Sequence, residues 1–304
     1  MKNIFALAPA ALFLGVSPLD AAALAAPTQK LAWVSKLSGA DAADCGSVAN
    51  PCRTFQFAHD NVVVAGGTIY VRDSGGYGPV TISKAISIIN DGNGVASISA
   101  SMDGVTVAAG VSDVVLIKGL TIDGAGVGLK GIKVQSVGNV TITDCTVKGF
   151  KDAGIFLGST SGVKFGVINS LLTDNRFNLS IQPSGSSASG FLRNVLLTKG
   201  NIGINADGTG AYAGAIVVSL EDSIAAQNGD GLRSLGATVT ANGFKAEHNQ
   251  TGANVNSGVL IISRSQFIAN QGSDVSVSGT GKVMSAGDNV IDVLSGNLTP
   301  YSLR

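Results

Sequence analysis

The sequence predicts an all-β chain coiled as a parallel β-helix, a solenoid whose coils stack along one axis. Three observations carry that prediction: a repeat of 21 to 28 residues, a two-residue alternation inside each repeat, and an asparagine that returns at one offset. The repeat is marked by Leu120, Cys145, Ser170, Val195, Ser223, Phe244, Ser265 and Asp288, at spacings of 25, 25, 25, 28, 21, 21 and 23. Periods of this length belong to solenoids, in which each unit buries its apolar face only against its neighbours.

The alternation defines the strands. Five and three residues before the marks stand Val115/Ile117, Val140/Ile142, Phe165/Val167, Val218/Leu220 and Leu260/Ile262, interleaved with polar positions such as Thr141/Thr143 and Ser219/Glu221. Such spacing places one set inside and the other in solvent. A second inward pair begins at the mark itself, as in Cys145/Val147 and Ser265/Phe267, and a third short run follows a turn, as in Gly154-Ile155-Phe156 and Gly203-Ile204-Asn205. Three strands per coil with no helix between them leave the parallel β-helix as the fold.

The turns supply the third observation. Asn175, Asn228, Asn249 and Asn270 each stand five residues after a mark. An asparagine stacked there donates to the backbone of one coil and accepts from the next, and it tolerates the left-handed backbone of a tight bend. Composition agrees: 41 glycines against 11 Phe, 4 Tyr and 1 Trp imply thin aliphatic layers rather than one large aromatic core. Lys+Arg and Asp+Glu balance at 20 each, which argues against a nucleic-acid or acidic-membrane footprint.

Residues 1–25 read as a secretory signal peptide. Lys2 precedes the apolar run Ile4 to Val16, and Ala23-Leu24-Ala25 offers a small-residue cleavage site. The run is too short to anchor the mature chain in a bilayer, so a secreted or periplasmic protein is expected, without membrane insertion. Residues 26–65 then form an N-terminal segment in which Cys45 and Cys52 can close a disulfide loop, 66–295 the β-helix, and 296–304 a C-terminal tail. Thr54 is placed as the N-cap of a short helix, with Phe55, Ala58 and Val62 on one face to cover the open end of the solenoid. Gly75-Gly76-Tyr77-Gly78-Pro79 reads as a turn of the first coil, and Cys145 as a buried free thiol. His59 and His248 are far apart in sequence, so no metal site is expected, and His248 reads as a turn residue.

The run WVSKLSGADAADCGSVANPCRTFQFA, followed by GGTIYVRDSGGYGPVTISKAISII and the later repeats, resembles the secreted β-helix repeat proteins of the pectin lyase-like superfamily. The resemblance covers residues 32 to 295. It implies right-handed winding and a carbohydrate groove along the first strand of each coil, with polysaccharide as the partner. It does not extend to the active members' signatures. The Asn-Thr-Asp, Asp-Asp and Gly-His-Gly elements of polygalacturonases, the Arg-x-Pro-x-x-Arg of pectate lyases and the Trp-Gly-Arg-Pro-Trp of methylesterases are absent.

The outward positions of the first strand carry little acid–base chemistry. In coil order they include Leu116/Lys118, Thr141/Thr143, Gly166/Ile168, Phe191/Arg193, Ser219/Glu221, Thr240/Asn242 and Ile261/Ser263, with Glu221 the one carboxylate. Asp144 and Asp222 hold equivalent bend positions three coils, about 14 Å, apart. A site on this groove is therefore placed around Phe191, Arg193, Tyr212 and Glu221, with Asp222 in support. The loops Gln182 to Gly190 and Asp207 to Gly214 are expected to overhang it. There Arg193 would bind an acidic or hydroxyl group of a glycan, Tyr212 stack on a sugar ring, and Glu221 accept a hydrogen bond or act as base. The plainer reading is an exposed ion pair worth ~0–1 kcal/mol on a structural ribbon. A non-catalytic carbohydrate-binding or surface protein is thus preferred to the alternative, a polysaccharide lyase or glycoside hydrolase acting on an acidic glycan. No cofactor is expected, calcium entering only with a lyase.

Overall fold

The computed structural model describes residues 26–210 and 213–300. Residues 1–25, expected to be a signal peptide, Tyr212 and the last four residues lie outside them. Every coil contributes three short parallel strands, and each joins one of three stacks. The first stack runs from Gln29–Val34 through Asn139–Thr143, Val163–Ile168, Ser187–Arg193 and Ala215–Glu221 to Leu298–Pro300. The second runs from Gly75–Gly76 to Val290–Ile291, and the third from Val80–Ile82 to Leu294–Ser295. Strands Asp230–Asn242 and Thr251–Ser263 continue through the bend between the third and first stacks, merging these into one 20-stranded sheet beside the 10-stranded second. Stacked strands thus extend beyond segment 66–295 at both ends. Gly75–Gly76, expected as part of a turn, is itself a strand because its backbone pairs with Ala96–Ser97.

The first bend, between the first and second stacks, is turned by a left-handed residue in each coil. These include Asp144 (φ 57°), Asn169 (φ 48°), Asn194 (φ 52°) and Asp222 (φ 46°), short polar side chains that accept this conformation at low cost. The mark that follows is buried, and its backbone N–H is satisfied by the next coil. Cys145 N donates to Ser170 Oγ at 3.1 Å, Val195 N to Ser223 Oγ at 3.1 Å, and Ser265 N to Asn289 Oδ1 at 2.8 Å. The last mark is therefore Asn289 and not Asp288, which is exposed, since only a side chain aimed along the axis can take that N–H.

The second bend holds the asparagine ladder. Asn249 Oδ1 accepts from Asn228 N at 2.9 Å, Asn270 Oδ1 from Asn249 N at 2.9 Å, and Asp274 Oδ1 ends the row by accepting from Asn270 N at 3.2 Å. The ladder residue is not the left-handed one. That role falls to the residue before it: Asp174, Gln227, His248 (φ 56°) and Ala269. The side chain of an ordinary backbone position points inward, where the unpaired amides are.

The N-terminal end is closed. Helix Phe55–Asn61 starts at Thr54, whose Oγ1 accepts from Phe57 N at 3.2 Å, and buries Phe55 and Ala58 completely. Val62 is buried at its C-cap, and the Cys45–Cys52 disulfide pins the strand edge beside it. Below lies Tyr77, its ring tilted against Phe55 with centroids 5.0 Å apart and its hydroxyl donating to Asp73 Oδ1 at 2.8 Å. Cys145 is 2% exposed, and burial pushes its thiol up to about 11, so it packs as an inert small hydrophobe.

Candidate functional site

The outer face of the first stack carries a shallow hollow of about 470 Å³. It exists because Gly166 has no side chain. Register aligns Thr141, Gly166, Phe191 and Ser219 on consecutive coils, so the glycine leaves a gap in an otherwise continuous row. The half-buried Phe191 ring spreads over that gap, and a Cβ on Gly166 would meet its Cζ at 3.0 Å. Asn139, Lys164 and Ser189 line one side, Arg193 and Glu221 the other.

Arg193 and Glu221 are register partners on neighbouring coils, with Nε donating to Oε2 at 2.7 Å. The guanidinium also stands 5.3 Å from the Phe191 ring centroid, within the range of a cation–π contact. The pair is open to water, with Arg193 55% and Glu221 36% exposed. Held by both contacts, the guanidinium presents its remaining N–H donors to the hollow. Glu221 is the single carboxylate among the lining residues. Among the described residues, no three His, Cys, Asp or Glu side chains converge as metal ligands.

Of the residues expected from the sequence, the structure brings Phe191, Arg193 and Glu221 together. Asp222 follows Glu221 but turns the first bend, where its carboxylate faces Gly243 and lines a different depression. The expected overhang of loops 182–190 and 207–214 is corrected in part: Ser189 and Gly190 line the hollow, but no other described residue of the two segments does. Both lead into the N-terminal ends of first-stack strands, while Arg193 and Glu221 close the C-terminal ends of Ser187–Arg193 and Ala215–Glu221, roughly 20 Å away. Gly214 packs against Ser186 and Pro183, so these loops lie on each other. Lys164 and Asn139 went unrecognised, although their alternation with inward Phe165 and Val140 is the signal that puts them on this face.

The fold defines the class: a parallel β-helix, with three stacks of short strands. Among solved structures, the crystal structure of pectate lyase Pel9A matches with a TM-score of 0.61 at 15% identity, over 90% of this chain and 80% of that one. A likeness at that identity establishes the fold and leaves the chemistry to the site. No family model matches the chain, and no curated protein matches it in sequence. No helix among the described residues is long and apolar enough to cross a membrane.

Proposed function

We propose that the chain is a secreted β-helix protein that binds an extended polysaccharide along the outer face of its first stack without cleaving it. One observation carries this reading: the hollow offers donors, an aromatic ring and a single carboxylate already engaged by Arg193. Inverting hydrolysis uses two carboxyl groups about 6.5–9.5 Å apart, and calcium binding uses six or more oxygen ligands. The residues around Phe191 are fewer and differently charged. They suit hydrogen bonding to hydroxyl or carboxylate groups of a glycan, with Lys164 and Arg193 the cationic contacts. The Cys45–Cys52 disulfide and the leader-like first 25 residues support an extracytoplasmic location.

The test is a glycan panel that includes pectate, run on the purified mature chain with and without calcium. It reads retention on the polysaccharide and release of unsaturated or reducing ends. Retention that Arg193→Ala or Glu221→Ala abolishes, with no ends released, supports the reading. Released ends would overturn it in favour of a lyase or hydrolase.

A further inference from the structure

A second surface lies on the second stack, across the first bend from the proposed glycan hollow. Leu171, Leu196 and Ile224 stand on consecutive coils of the second stack and point outward, Leu196 being 39% exposed. Beside them, at the first bend, a polar row runs parallel to the axis: Asn194 Nδ2 donates to Asn169 Oδ1 at 3.0 Å, and Asn169 Nδ2 to Asp144 Oδ1 at 3.4 Å, with Asp222 on the following coil. Together the stripe and the row enclose a depression of about 340 Å³. On the other side of the stripe runs a third row, Lys148, Thr173, Thr198, Ala226 and Glu247.

We infer that this face binds a second copy of the chain, related by a two-fold axis that passes through the Leu196 coil parallel to its strands. Such an axis reverses the order of coils and keeps each row opposite itself, and the pairs at its centre are complementary, while further out Thr146 meets Lys245 and Asp123 meets Ile268. Leu196 meets Leu196, and Leu171 meets Ile224. In the polar row Asn194 meets Asn194, an amide able to donate and accept at once, and Asn169 meets Asp222. In the third row Thr198 meets Thr198, Thr173 meets Ala226, and Lys148, which also pairs with Asp123 of its own chain at 3.3 Å, meets Glu247. One coil further out, Thr121 meets Gln266. The other two-fold, parallel to the solenoid axis, would set Lys245 against Lys245 and is disfavoured.

The stacked coils keep this face flat, and seven coils span roughly 29 Å. With the strand and its bends, that buries on the order of 1,000 Å² in total, at the low end of specific interfaces. The dimer is therefore expected to dissociate on dilution, and Lys148 with Glu247 to set its register.

Sedimentation velocity of the mature chain across micromolar concentrations tests this directly. The expected result is a concentration-dependent monomer–dimer equilibrium that Leu196→Asp shifts to monomer, while circular dichroism confirms the fold. Lys148→Glu and Glu247→Lys each place like charges opposite and weaken the dimer at least about tenfold. The double variant K148E/E247K restores the pairing and recovers the wild-type constant. A wild-type chain that stays monomeric, a dimer that survives Leu196→Asp, or a double variant no better than its parents would overturn the proposal. None of these results bears on glycan retention, which reads the outer face of the first stack.

Discussion

The asparagine ladder is built in two ways within one rod, and the difference shows what the fold requires. In the later coils the amide comes from the bend: Asn249 gives Nδ2 to Ala225 O at 2.9 Å and Asn270 gives its own to Ala246 O at 3.0 Å. Each packs against a glycine that opens the third strand of the preceding coil, Gly231 or Gly252, where a Cβ would lie within 3 Å of the amide nitrogen. In the middle of the rod both positions are exchanged. The bend carries Gly200 and the preceding third strand carries Asn178, which is completely buried. From there Asn178 Nδ2 reaches Thr198 O at 3.0 Å and Asn228 Oδ1 at 3.1 Å, while Asn175 donates to its Oδ1 at 3.0 Å. The row is therefore continuous although its sequence period is broken. An amide is required at a point in space, and either of two backbone positions can deliver it.

The largest effect should come from the regular part. Asn249→Ala removes an acceptor for Asn228 N and a donor to Ala225 O inside a dry bend, and is expected to cost about 3–4 kcal/mol in denaturant unfolding. A loss under 1 kcal/mol would mean that water replaces the ladder. In the exchanged part, Asn178→Gly and Gly200→Asn should each cost about 2–3 kcal/mol, the first by orphaning Thr198 O and Asn228 Oδ1, the second by collision with Asn178. The double variant should recover to within about 1 kcal/mol of wild type, less the strain of a Cβ 2.9 Å from Asn175 O. Additive losses would refute the exchange.

Acid provides a third, more local contrast, because the ladder's asparagines do not titrate and the capped end does. His59 is buried on the inner face of the capping helix, its Nε2 accepting from Ser83 N at 3.2 Å. Burial first, and then the nearby Lys84, hold its imidazole below the ordinary range, against the opposing hydrogen bond to Asp60. The unfolded chain protonates near ~6.5 while the folded chain still resists, so stability is lost as pH falls below that value. Hydrogen-exchange protection, corrected for the intrinsic rate at each pH, should fall in the first coils between pH 7 and 5 and remain unchanged around Asn249, and His59→Gln should flatten the difference. The smallest effect belongs to the outer face. Arg193→Ala and Glu221→Ala should alter stability by only ~0–1 kcal/mol, since their pair is solvated. A larger loss would make it part of the scaffold.

The regular ladder was legible because a fixed offset of five residues survives in Asn175, Asn228, Asn249 and Asn270. Asn178 carries no such signal, since nothing in its spacing says that the neighbouring coil lacks an amide. The same limit explains the site. Alternation put Phe191, Arg193 and Glu221 on one face, as the register shows. Periodicity orders elements along the axis, however, and says little about which end of a strand a loop leaves, so loops 182–190 and 207–214 were set over the wrong end. The stripe Leu171, Leu196 and Ile224 was hidden by its surroundings. In LLT, LLT and IAA the outward residue is as apolar as the inward one, and alternation carries no contrast.

The closed N-terminal end has a consequence for how the rod comes into being. Synthesis delivers the helix over Phe55, the Cys45–Cys52 loop and the Trp33–Tyr70 stack before any later coil exists. Every coil after that needs to close a loop of only 21 to 28 residues onto a surface already in place. Assembly can thus advance in one direction as the chain emerges, the cap serving as the template from which the rest is copied, turn upon turn.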